Sequence, residues 1–174
     1  TWVAHANRAT DAPYTVYDGS AIVGQKDVNQ EIAPNDFAYA GSQWEDIVTV
    51  DVTGTTLKVT LSNDANQYVI ADAVRIESVG VVATPPVTTP PVTTPPVTTP
   101  PVVQIIDNGE TGHASNGFVI FGAGHKSDLA YTAAGSGSSV STWTFNVTPG
   151  HYKVSSTWVA HANRATDAPY TVYD

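Results

Sequence analysis

Three groups of residues in this sequence are of types that do chemistry. The first is His5, Arg8 and Asp11 in HANRATDAP, an imidazole, a guanidinium and a carboxylate three residues apart. Such a set invites acid–base catalysis. However, no nucleophile stands beside it, there is no Gly-x-Ser-x-Gly turn, and no acid is ordered against a base. Arg8, with Asp11, reads instead as the lock of a long loop, fastened by bidentate hydrogen bonds. No catalytic residue is assigned, and the chain reads as a non-enzyme. The second is Asp72 in IADAVRI. On one strand, Ile70, Asp72, Val74 and Ile76 share a face, which sets a carboxylate among aliphatic side chains. A buried charge needs a partner or a metal, and the protein partners in view are Arg8 or backbone N–H groups. The third group is aromatic. Trp44, Tyr39 and Tyr68, with Phe118 and Phe121, lie in or near loop-like sequence, where a ring can stack on a pyranose. Trp2 and Trp143 sit inside strand patterns and read as core.

The elements that must position these residues come with an unusual constraint. Residues 1–18 and 157–174 are identical at all eighteen positions, a period of 156 residues. Eighteen residues cannot bury enough apolar surface to fold alone. The chain therefore reads as a window on a tandem array, one period plus a short overlap. An accidental duplication and an exchange of halves between chains are the alternatives; in the exchange, both copies would compete for one slot. Eight of the twelve prolines fall in residues 84–102, TPPVTTPPVTTPPVTTPPV. Proline lacks the amide donor and restricts its predecessor, so this run predicts a polyproline-II spacer reaching ~59 Å at ~3.1 Å per residue. Its Thr88, Thr89, Thr93, Thr94, Thr98 and Thr99 form the Thr/Pro pattern of an O-glycosylated stalk, against which stands a bare spacer. The expected organisation is residues 1–80 as the C-terminal part of one bead, 81–102 as linker, and 103–174 as the N-terminal part of the next. Joining 103–156 to 1–80 gives a complete bead of 134 residues.

Within the bead, short alternating runs are separated by Gly, Pro, Asn and Asp, and no stretch keeps a helical period. In LKVTLSN, Leu57, Val59 and Leu61 point one way; in EDIVTVDV the inward set is Val48, Val50 and Val52. TGTT between them predicts a hairpin, as does Asp18-Gly19. Two further strands flank Pro149-Gly150, and YVIADAVRIE supplies the last. The stretch from Ser115 to Ser139, rich in Gly and Ser, reads as long loops. The expected fold is all-β, an antiparallel sandwich of jelly-roll type. A net charge of −9 repels nucleic acid and anionic membranes, and the absence of cysteine removes disulfides and zinc–thiolate sites. Only 13% of residues are charged, which suits an exposed secreted repeat.

The segments WTFNVTPGHYKVSSTWVAHANRATDAPYTVYDG, VNQEIAPNDF and NQYVIADAVRIE, with IIDNGE opening the bead, resemble the golvesin/xanthan-lyase C-terminal domain. That is a carbohydrate-binding-module-like β-sandwich of large secreted bacterial proteins. The likeness covers the bead but not the linker, and its motifs fall in order only after re-joining. It implies an extracellular or cell-surface accessory domain. It also implies a structural calcium between first and last strands, for which Asp72 would be joined by Asp107 and Glu110. Two functions follow. One is a structural repeat of an extracellular filament or giant adhesin, whose partners are identical neighbouring repeats. The other is a polysaccharide-binding module whose array supplies avidity. A bead about 36 Å across on a free linker predicts an axial repeat approaching ~90 Å.

Overall fold

The structure, a computed structural model, describes the backbone of residues 15–18 and all of residues 21–80 and 100–173. The described chain is all-β. In order, the strands are β1 (Thr15–Asp18), β2 (Ala21–Val28), β3 (Phe37–Tyr39), β4 (Ser42–Val52) and β5 (Thr56–Ser62). Next come β6 (Val69–Ala71), β7 (Val74–Ser78), β8 (Val103–Ile106), β9 (His113–Asn116) and β10 (Val119–Phe121). After a 3₁₀ turn at His125–Ser127 follow β11 (Leu129–Thr132), β12 (Val140–Asn146), β13 (Gly150–Ser156) and β14 (Ala168–Tyr173). One sheet runs β2-β14-β1-β5-β12-β9 and a second runs β3-β4-β13-β7-β8; β10-β11-β6 form a small third sheet. Residues before and after the Pro/Thr-rich stretch contribute to one hydrophobic core, from Val50, Leu57, Val59 and Ile76 to Trp143, Val154, Trp158 and Tyr170.

β5 behaves as its alternation requires. Leu57, Val59 and Leu61 are fully buried, each stabilising the fold by roughly 1.5–3 kcal/mol. β4 does not. Its register on β13 slips between Val154, opposite Val48, and Ser155, opposite Asp46. The extra residue, Ile47, is a bulge that resets the pleat. The inward set becomes Trp44, Ile47, Val50 and Val52, and Val48 is only half-buried.

The expected hairpin at TGTT is an arch between sheets. β4 pairs with β13 and β3, whereas β5 pairs with β12 and with β1 and β14. Pro149-Gly150 makes the matching arch between β12 and β13, so the two arches stack. Alternation decides which face is buried, not which strand lies beside it. The stretch read as long loops holds the end of β9 and all of β10 and β11. IADAVRI is not one strand: β6 ends at Ala71, β7 begins at Val74, and Asp72 sits in the break with every residue from Val69 to Arg75 buried.

The duplicated segment meets the fold at one place. β12 takes one edge of β5, with Trp143 opposite Val59. On the other edge, Val172 of β14 and Val16 of β1 are both registered on Val59, and Tyr173 and Tyr17 are both registered on Lys58. β1 and β14 also run parallel, identical residue against identical residue, from Thr15 beside Thr171 to Tyr17 beside Tyr173.

The strands on either side of the Pro/Thr-rich stretch are neighbours. β7 and β8 pair antiparallel, Glu77 opposite Val103 and Val74 opposite Ile106. The pairing extends to the linker's edge: the Ser78 N–H donates to Val102 O at 2.9 Å, and the Val102 N–H to Ser78 Oγ at 2.7 Å.

Candidate functional site

Two depressions hold residues of the kinds singled out above. The first, of about 430 Å³, is polar, and Ser42, Gly124, His125, Lys126 and Ser127 line it with Ala40. Asp72 is buried behind its wall, bonded to His125. Both Asp72 carboxylate oxygens accept the His125 backbone N–H, at 3.0 and 3.1 Å. Burial drives the Asp72 pKa well above the carboxylate range; the His125 N–H works against this and the neighbouring charge of Asp107 adds to it. The His125 ring, itself buried, shares a 2.9 Å hydrogen bond between Nδ1 and Ser42 Oγ and meets the Trp44 ring edge-on at 5.7 Å. Burial lowers the His125 pKa, which keeps the imidazole neutral at pH 7. Ala40, Lys126 and Ser127 all have positive φ, at 50°, 49° and 77°. Backbone strain among the described non-glycine residues is thus gathered around this one pocket.

Asp107 and Glu110 lie nearby but turn to other partners. Asp107 Oδ1 accepts the Asn108 N–H at 3.1 Å, while Glu110 Oε2 accepts the Asp107 N–H at 3.2 Å. Glu110 Oε1 pairs with Lys126 Nζ, whose hydrogen bond lowers the Glu110 pKa. Burial, and then the charge of Asp128, raise the Asp107 pKa to about 7. Among the described residues, no three His, Cys, Asp or Glu side chains converge as a metal-ion site. The calcium expected from Asp72, Asp107 and Glu110 is therefore not matched by the donor geometry. Asp72 takes the backbone N–H alternative instead.

The second depression is an aromatic groove of about 530 Å³, built by two segments far apart in sequence. Tyr68, just ahead of β6, forms a parallel bridge with Arg164. Its N–H donates to Asn163 O at 3.2 Å, and its carbonyl accepts the Ala165 N–H. The bridge fixes the loop before β14 against the start of β6. Tyr131 of β11 meets Tyr68 edge-on at 6.0 Å, and Phe121 of β10 is more than half exposed beside them. At the rim, His161 Nδ1 and Asn163 Oδ1 share a 2.9 Å hydrogen bond. Arg164 Nε donates to Val159 O at 3.4 Å, and half-burial lowers the pKa of its guanidinium. Among the described residues no carboxylate pairs with Arg164. Ring faces beside imidazole, amide and guanidinium donors suit a ligand with apolar faces and polar edges.

The aromatic candidates separate cleanly. Tyr68 lines the groove, at 38% exposure. Trp44 is a correction: it lies on β4, not in a loop. It shares the parity of Val50 and Val52, it is fully buried, and its indole N–H donates to Tyr39 O at 2.9 Å. Tyr39 is exposed, but the Arg75 guanidinium lies over its ring at 4.7 Å, so that face is taken. Trp143 is core, as its strand pattern implied. Arg8, Asp11, Trp2 and the six linker threonines lie outside the described residues. The second copy supplies Arg164 and Asp167. Asp167 Oδ1 accepts the Asn66 N–H at 2.6 Å, and Arg164 Nε donates to Val159 O at 3.4 Å. Tyr131, His161 and Asn163 were not singled out as binding residues. Tyr131 was hidden in Gly/Ser-rich sequence, where LAYT is too short to announce a strand.

The family model of the Golvesin C-terminal domain matches residues 1–78, ending on the last residue of β7. The family is one of non-catalytic domains. No curated protein and no solved structure matches the chain. No helix of the described residues is long and apolar enough to cross a membrane.

Proposed function

We propose that this chain is a structural repeat of an extracellular filament or giant surface protein, a Golvesin-type β-sandwich bead strung on a Thr/Pro linker. The observation that carries the reading is the register on β5. Advancing 156 residues in sequence brings an identical strand to the same rungs, Val59 and Lys58. One period of sequence is thus one circuit of the fold, the relation that an array of equal beads needs. Residues 103–173 and 21–80 between them supply the one sandwich, which supports the bead assembled by re-joining.

The fold also revises the expected spacing. Because β7 and β8 are antiparallel neighbours, the chain enters a bead beside where it leaves it. Entry and exit are about one strand spacing apart, ~4.8 Å, so beads hang from the linker as pendants. The axial repeat is then near the linker's own ~60 Å reach instead of ~90 Å. Electron microscopy of native material tests this. A regular repeat at or below ~60 Å supports pendant beads, ~90 Å overturns them, and discrete particles overturn the array itself.

The aromatic groove favours a second reading, in which the bead binds polysaccharide and the array multiplies a weak site. Its test is a glycan panel on the chain and on Tyr68→Ala. Loss of binding in that variant supports it, and absence of binding by the parent chain removes it.

A further inference from the structure

We infer that the edge of β5 is a strand-exchange site whose partner is a second copy of this chain, the eighteen-residue segment of one copy completing the sandwich of another. A strand has two edges, and each backbone amide and carbonyl serves one neighbour. β12 holds one edge of β5. Two strands of identical sequence are registered on the other, rung for rung. One edge holds one strand, so either copy can take the rungs of Val59 and Lys58, and the copy that does not take them lies beside the one that does.

The two copies reach the site by different routes. β14 continues from β13 through the loop Thr157–Asp167, whereas β1 leads into β2 two residues later. Everything buried by the segment is encoded in both: Trp158, Tyr170 and Val172 are buried, and the same residue types recur at 2, 14 and 16. Replacing one copy by the other changes connectivity and leaves the side-chain contacts the same. Exchange between molecules therefore breaks and remakes equal contacts, and the effective concentration of the donor decides the outcome. The incoming segment also brings its own His, Asn and Arg to the rim of the groove, so exchange rebuilds that wall as well. The inference rests on register and identity, not on how many periods an array contains.

The experiment uses the full chain. Val172 is fully buried, and a carboxylate there closes the site to the second copy. Val16→Asp does the same to the first. Each single variant is expected to keep a cooperative thermal transition within a few degrees of the parent, because the intact copy takes the site. The double variant is expected to lose more than about 10 °C or to lose the transition. If V172D alone falls as far as the double variant, the first copy does not fit and the inference is overturned. Exchange between molecules is read separately with a fluorescent peptide of sequence TWVAHANRATDAPYTVYD, incubated with the parent chain and with the double variant. Co-migration with either, displaced by unlabelled peptide but not by a peptide with Asp in place of the strand valine, supports it. No capture by either overturns it.

Discussion

The two depressions are similar in size and opposite in construction. In the pocket over Asp72, the polar groups already have partners: the carboxylate holds a backbone amide, the imidazole holds a serine, and Glu110 holds Lys126. In the groove around Tyr68, rings stand open to solvent, and among the described residues the half-buried guanidinium of Arg164 makes a long bond to a carbonyl. The first pocket contains the residues that look most like chemistry, yet its hydrogen bonds are consumed in holding the 3₁₀ turn against the break between β6 and β7. Among the described residues the groove holds no carboxylate partner for Arg164, and its rings are part-exposed. A cluster of titratable groups marks a place where burial must be compensated; a ligand site is better marked by groups left without compensation.

Substitution separates the two regions, and the largest effect is expected beside the polar pocket. Trp44→Ala empties a fully buried site against His125 and should cost about 3–5 kcal/mol in chemical denaturation. A cost below 1 kcal/mol would mean that Trp44 is not packing there. Gly124→Ala comes next. Gly124 has φ of 109°, and an added Cβ would lie 2.6 Å from Asp128 O and 2.7 Å from Asp72 Oδ2. The expected loss is about 2–3 kcal/mol, measured in the same way.

Asp107→Asn should act in the opposite direction. The folded-state pKa of Asp107 is raised to about 7 against 3.8, so its ionised form disfavours the fold. That group's contribution is intact below pH 3.8 and is lost as pH rises through 7. The amide should therefore stabilise by about 1–2 kcal/mol at pH 8 and change nothing near pH 4. Thermal midpoints between those limits check it, and parallel profiles for the two proteins would refute it. The smallest effect on stability is expected in the groove. Tyr68→Ala should cost about 1 kcal/mol or less, because its ring is already part-exposed. If the groove binds glycan, that same change should weaken binding about tenfold, read by titration calorimetry.

Much of the fold was legible in the sequence where one side chain type repeats at period two. Leu57, Val59 and Leu61 announce β5, and the structure buries all three. Asp72 announced its own burial by its aliphatic neighbours, though not its partner, because a backbone N–H leaves no mark in sequence. Trp44 was misplaced because its stretch was read as loop: it has the parity of Val50 and Val52, and the alternation carried back along β4 would have buried it. The inserted Ile47 displaces Val48 instead, and nothing in EDIVTV marks that slip. The arch at TGTT was equally silent, since turn chemistry speaks of the bend and not of the sheet that receives the next strand. The groove is assembled by the bridge from Tyr68 to Arg164, a contact between residues almost a hundred positions apart, and only the fold brings these two together.

The pairing of β7 with β8 has a mechanical side. Tension drawn through the linkers of an array would pull on Ser78 and Val102, which face each other at the open end of an antiparallel ladder. Such a load meets the rungs one at a time, as a zip does, instead of all together as when strands are sheared lengthwise. The first to yield are the bonds between Ser78 and Val102, followed by the rungs between Glu77 and Val103 and between Ile76 and Gln104. A stretched array would give way at these seams before its tryptophan core felt the force, lengthening in small steps and closing again when the load is released.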